Sequence, residues 1–239
     1  MIRSRLGLKA LVLGGLVLGL MAFVAAGAQA EAGANFKVNG SNISSTLLPS
    51  FQVASLENKT VSLLFTTGGG TKVEILCTEM KLLDGTTTND AKLGVEGKVD
   101  LGKMHLSGCL TKLNGTISKN CEPHTGVNKG LILTEALKGL IRLHEGQPVA
   151  EISLDSGTNI ISFVLGELCA IGEEVQVAGV LFLRDCKNEG KTQLVEHLLE
   201  ALQALTKLTA LGAAVTLDGS VLAKLTAAHA GLKFSVEPN

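Results

Sequence analysis

The chain has 239 residues and carries 21 Lys+Arg against 22 Asp+Glu, a net charge of −1 with no basic stripe; capture of nucleic acid needs a clustered positive face, so that partner is excluded. There is no Trp, no Tyr and only seven Phe, which argues against a sugar-binding platform and against an outer-membrane barrel, since both depend on aromatic rings. Leu, Val, Ile and Ala are left to build the core.

In chain order, the clearest signal comes first. Arg3, Arg5 and Lys9 lead into an uncharged apolar run from Ala10 to Ala26, and the segment closes on Ala28-Gln29-Ala30. A basic head, an apolar middle and a small-x-small exit read as a secretory signal peptide over residues 1–30, with Ala28 and Ala30 marking the cleavage site. An uncleaved anchor is the rival reading, because about 20 apolar residues suffice to span a bilayer. Gly14, Gly15 and Gly19 weaken such a helix, and no basic cluster follows it. Cleavage leaves residues 31–239 as a single β-rich domain with no membrane span. Three basic residues go with the leader, so 18 remain against 22 acidic ones, a net charge of −4.

From Phe36 to Arg184 short apolar stretches alternate with Gly, Asn, Asp and Thr. The clearest hairpin is Thr60 to Thr66, a turn at Gly68-Gly69-Gly70, and Lys72 to Thr78. Glycine supplies the positive φ of a tight turn, and Val73, Ile75 and Cys77 fall on one face of the second arm. Asp84-Gly85-Thr86 reads as another turn, and Ala91 to Cys109 as two strands around Gly97 and Asp100. Leu131 to Leu143 fits a short helix or a bent strand equally. Val149–Leu154 and Asn159–Leu165 read as a hairpin, and Val175–Leu183 as the last strand of this region. Leu194, Val195, Leu198, Leu199, Leu202, Leu205 and Leu208 then recur with helical period before Gly212. The spacing predicts an amphipathic helix over 192–211, with Glu196, His197 and Glu200 on its polar face, covering a face or an open end of the sheet. Leu232–Val236 reads as a final strand. The expected fold is mainly β: an antiparallel β-sandwich or barrel with a C-terminal amphipathic helix.

Export makes the five cysteines candidate disulfides. Cys109 and Cys121 flank a short loop with a turn at Asn114-Gly115, and Cys77 and Cys169 each end an apolar strand. This favours bridges Cys109–Cys121 and Cys77–Cys169, with Cys186 as a free or intermolecular thiol. The alternative joins Cys169 to Cys186 and frees Cys77, and spacing alone does not choose. There is no Cys-x-x-Cys and no Cys/His set at zinc spacing, so no metal site is read.

No catalytic signature is present: no Gly-x-Ser-x-Gly elbow, no His-Glu-x-x-His, no Ser-x-x-Lys and no phosphate loop. No cofactor is implied. The histidines, His105, His124, His144, His197 and His229, stand apart in sequence; His124 lies beside Cys121 and Glu122 with no nucleophile to serve. Sequons such as those at Asn42, Asn58 and Asn114 matter only in a eukaryotic pathway, whereas the Ala-Gln-Ala exit looks bacterial.

The order Leu76-Cys77, Ser107-Gly108-Cys109, Cys121, Gly130-Leu-Ile-Leu-Thr134, Leu137-x-Gly-Leu140, Glu167-Leu-Cys169 and Val175-x-Val-x-Gly179 resembles a group of uncharacterised secreted bacterial proteins with a four-cysteine, β-rich skeleton. The likeness spans about Val73 to Leu183. It implies export and a disulfide-bonded β fold and carries no activity; Cys186 and the Leu-rich stretch after it depart from the pattern.

The expected function is that of a secreted or envelope-associated, non-enzymatic structural or binding protein, with a cell-surface or self-association partner. One alternative is a carrier holding a small apolar ligand in a barrel lined by Leu, Val and Ile. Another is a hydrolase with a dispersed site, which requires His105, His124, Asp155 and Ser156 to converge.

Overall fold

The computed structural model describes residues 33–44, 48–90, 96–172, 174–186 and 192–238; the leader and its Ala28 and Ala30 lie outside them. The first strands are β1 (Ala34–Val38), β2 (Ser41–Asn42), β3 (Ser50–Ser55), β4 (Val61–Thr66), β5 (Lys72–Cys77), β6 (Glu79–Asp90) and β7 (Glu96–Gly102). Shorter ones follow: β8 (His105–Ser107), β9 (Leu110–Leu113), β10 (Thr116–Ile117), β11 (His124–Thr125), β12 (Asn128–Lys129) and β13 (Ile132–Leu133). Then come β14 (Leu137–His144), β15 (Gln147–Leu154), β16 (Asn159–Val164) and β17 (Glu174–Asp185). The chain finishes with β18 (Glu196–Ala201), β19 (Lys207–Ala210), β20 (Ala213–Asp218), β21 (Ser220–Leu225) and β22 (Phe234–Pro238). The protein is mainly β.

Eight of these strands close an antiparallel barrel in the order β3-β6-β7-β14-β15-β17-β18-β21 and back to β3. Alternation explains the closure. On β21, Val221, Ala223 and Leu225 face inward and are buried, while Ser220, Leu222 and Lys224 between them are partly exposed. The outer wall carries cross-strand charge pairs, Arg142 with Glu151 at 3.1 Å and Lys224 with Glu196 at 3.8 Å. Closure leaves the barrel no open sheet edge.

A second sheet runs β11-β16-β17-β19-β20-β4-β5-β9-β10. β17 belongs to both layers. Its first half pairs with β16 and β19, and its second half with β15 and β18. The strand changes layer beside Gly179, whose φ is +123° and where any Cβ would strike the carbonyl oxygen of Lys207. Only glycine permits that approach. The second sheet packs Leu63, Ile75, Phe163, Val175 and Val177 into a core that solvent does not reach.

A third, three-stranded sheet, β2-β1-β22, joins the two ends of the described chain. It lies over one mouth of the barrel, where β1 touches β6, β7 and β14 and β22 touches β15.

Several expectations need correction. No helix forms over 192–211; the segment makes β18, a turn and β19. The leucine spacing fits a helix, but β17 and β21 offer unpaired backbone on both sides of β18, and pairing to both completes the barrel. The β4–β5 hairpin forms as read. The strands at 149–154 and 159–164 also form, yet they do not pair with each other, because each pairs with a different half of β17. Asp84-Gly85-Thr86 is no turn. β6 runs through it, and Gly85 makes room for the Phe51 ring, which a Cβ there would overlap. β7 likewise runs through Gly97 and Asp100, and Leu131 to Leu143 resolves as strands β13 and β14.

The four cysteines read as bridged are bridged and Cys186 is the free thiol, but the partners differ: Cys77 joins Cys109, and Cys121 joins Cys169. The cause is register. β5 pairs with β9 so that Leu76 faces Leu110, which sets Cys77 beside Cys109 with Cα atoms 3.9 Å apart. Cys121 sits instead in the turn Lys119–Cys121, against the loop that carries Gly166 and Cys169. Neither Cys109–Cys121 nor Cys77–Cys169 forms, and Cys169 does not reach Cys186. All four bridged cysteines lie in the second sheet and its loops, and two disulfides are the mark of an oxidising environment.

Candidate functional site

The barrel interior is not filled. Side chains from all eight strands, among them Val53, Val99, Ile152, Leu199 and Val221, surround a cavity of about 120 Å³. An eight-stranded barrel is wide enough either to be packed by its own side chains or to hold one small ligand. Here the inward positions include Ala150 and Ala223, and the chain has no Trp or Tyr to reach across. Phe36, Phe234 and Val236 from the third sheet close the mouth. A dry apolar cavity of roughly 150 Å³ accepts benzene, so this space matches a small ring or a short hydrocarbon tip.

Asp185 and His197 put ionisable groups into this largely apolar lining. Asp185, at the end of β17, and His197, on β18, are 8% and 3% exposed. His197 Nδ1 bonds Asp185 Oδ2, and its Nε2 lies 2.7 Å from the carbonyl oxygen of Phe234. A carbonyl only accepts, so Nε2 carries a hydrogen. The contact at Nδ1 then holds one further proton between imidazole and carboxylate. Both ring nitrogens are occupied, so the imidazole has no lone pair to offer a substrate. The Phe234 ring lies against the imidazole, centroids 4.0 Å apart.

A polar cleft of about 360 Å³ opens outside this pair, lined by Gln147, Pro148, Arg184, Asp185, Cys186 and Glu200. Pro148 and Asp185 border both the cleft and the cavity. Cys186 Sγ donates to Glu200 Oε2 at 3.1 Å, Ser220 Oγ donates to Glu200 Oε1 at 2.9 Å, and Arg184 Nη2 stands 3.7 Å from Glu200. Burial, then the bond to Glu200, pushes the Cys186 thiol up to about 11. The same bond, followed by that from Ser220, holds the Glu200 carboxyl below its ordinary value. Cys186 is therefore a neutral thiol near pH 7.

The residues named for a dispersed hydrolase are not gathered here. His105 lies on β8; His124, on β11, donates from Nδ1 to the Gly126 carbonyl at 2.8 Å; Asp155 and Ser156 lie in the turn after β15, with Asp155 3.9 Å from Lys138 Nζ. None of the four lines the cavity or the cleft. Among the described residues no group of three or more His, Cys, Asp or Glu is placed to hold a metal ion, and no helix is long and apolar enough to cross a membrane.

Sequence reading missed Asp185 and misplaced His197 on a solvated helix face. The missing signal was a period of two. Glu196, Leu198 and Glu200 alternate with His197, Leu199 and Ala201, a strand with its carboxylates outward and His197 inward. Compared with known proteins, the chain matches no family model, no curated protein and no solved structure.

Proposed function

We propose that this is an exported, non-enzymatic binding protein whose barrel carries one small apolar ligand. The observation that supports it most is the apolar cavity, walled by every barrel strand and covered at its mouth by Phe36, Phe234 and Val236. Export rests on the three-part leader over residues 1–30, ending at Ala28-Gln29-Ala30, and agrees with the two bridges. It also agrees with the resemblance to secreted bacterial proteins, and supports a location outside the cell or in its envelope. The charged outer wall, with Arg142, Glu151, Glu196 and Lys224, suits water and not lipid. The engaged nitrogens of His197 and the separation of His105 and His124 favour binding over catalysis. A surface partner is a second reading, favoured by Ile117, Val127 and Leu168, which are exposed near the Cys121–Cys169 bridge.

Fluorobenzene followed by ¹⁹F NMR tests the carrier. It binds the purified protein one to one, and Ala223→Phe, which fills the cavity, abolishes binding. Absence of binding, or binding that survives this substitution, rejects the reading.

A further inference from the structure

The sheet over the barrel mouth is attached in an unusual way. β2 leads into β3, and β21 leads into β22. Since β3 and β21 are neighbours in the barrel, the strand ends that lead to the sheet, Phe51 and Leu225, lie side by side on the wall. From there the sheet crosses the mouth to β14 and β15, which stand opposite β3 and β21 in the ring of eight. Among the described residues no barrel strand extends its ladder into the sheet, and the backbone link between them is the isolated bridge of Leu194 to Phe234, with N···O distances of 3.4 and 3.0 Å. Two side chains hold the flanks. Asn89 on β6 accepts from Phe36 N at 2.9 Å and donates to the carbonyls of Phe36 at 3.0 Å and Ile43 at 2.8 Å. On the other flank His197 donates to Phe234 O. The polar cleft that shares Pro148 and Asp185 with the cavity lies between β15 and β17, next to the β14–β15 edge that stands opposite the connections.

We propose that β1, β2 and β22 form a hinged flap that swings about its connections to β3 and β21 and admits ligand at the β15–β17 side, with Asn89 and His197 as its two latches. This rests on the carrier reading for its purpose and on the attachment alone for its motion. Opening breaks the seam bonds and lifts Phe36, Phe234 and Val236 from the cavity, while every barrel pairing stays intact. Phe36 seats where Gly97 leaves space: a Cβ there would stand 2.8 Å from the ring.

Native-state amide exchange separates flap motion from global unfolding. The N–H groups of Phe36, Leu194 and Phe234 cross the seam, so in the unaltered protein they exchange well ahead of the barrel ladder. Asn89 does not line the cavity. Asn89→Ala removes its three bonds, and the amides of Leu194 and Phe234 then exchange about tenfold faster, as does bound fluorobenzene. Should Asn89→Ala fail to fold, Asp185→Leu with His197→Leu releases the other flank without stranding a charge. Seam amides that exchange only with the barrel overturn the flap. So does a fluorobenzene exchange rate unmoved by a loosened seam. If fluorobenzene does not bind at all, the carrier reading falls, and the amides still decide whether the flap opens.

Discussion

Around the second sheet Leu63, Ile75 and Phe163 are exposed by 2% or less, and both disulfides lie there; around the barrel Phe51, Val53 and Val99 are each 7% exposed and about 120 Å³ stays open between them. One strand, β17, runs through both regions. The contrast follows from geometry. An open sheet can settle onto its neighbours until side chains meet, whereas the width of a closed barrel is set by its number of strands. Leu, Val and Ala do not reach across that width, so the barrel stays hollow while the sheet packs solid. The solid region holds the fold; the hollow one is where the proposed ligand would sit.

Substitution tests this difference, beginning where the effect is largest. Phe163→Ala costs about 3–5 kcal/mol in urea unfolding, because the surroundings are too tight to collapse, whereas Leu199→Ala, beside existing space, costs nearer about 2 kcal/mol. Equal losses erase the distinction. His197→Ala strands the Asp185 carboxylate and also costs about 3–5 kcal/mol, most of it recovered when Asp185→Leu and His197→Leu are combined. A double-mutant cycle reads the coupling; additive losses mean the pair is not coupled. Next, converting Cys121 and Cys169 together to Ala lowers stability by about 2–5 kcal/mol and leaves fluorobenzene affinity intact, since the bridge lies in the other region.

Smaller effects change sign between the regions. Ala223→Val adds a methyl pair to open space and stabilises by about 0.5–2 kcal/mol, while Ala210→Leu in the second sheet destabilises by about 1–3 kcal/mol. Thermal melts that move the same way for both contradict the contrast. Last comes Cys186. A thiol moved from 9.0 to about 11 offers roughly a hundredfold less thiolate at pH 8, so iodoacetamide reacts slowly, and Glu200→Gln speeds it by removing the negative charge beside the thiol. Because the folded thiol holds its proton more tightly than the unfolded one, its contribution to stability is full below pH 9 and declines as pH rises toward 11. Alkylation as fast as that of a free thiol breaks the account.

Much of the fold was legible. Strands such as β4, β5, β15 and β17 declare themselves by alternation and flanking turns, and the set of paired cysteines came from export. The pairing of strands did not, because β15 and β16 look like a hairpin until β17 is seen to serve both. The Leu194–Leu208 stretch satisfies two periods at once, and the decision lay with the neighbours β17 and β21, which are distant in sequence. The site was the least legible part. Asp185 and His197 belong to separate strands of ordinary composition, and only closure of the barrel turns both inward.

Ala34 faces Pro238 across the third sheet, so the two ends of the described chain lie side by side. A short Gly/Ser joint between them would yield a circular permutant in which β1 and β22 become one continuous hairpin, with new ends opened at the exposed Gly68–Gly70 turn. For the same reason a tag fused directly before Ala34 or after Pro238 would hang over the barrel mouth. Assays of uptake therefore call for an untagged chain, or for an affinity handle inserted in that turn.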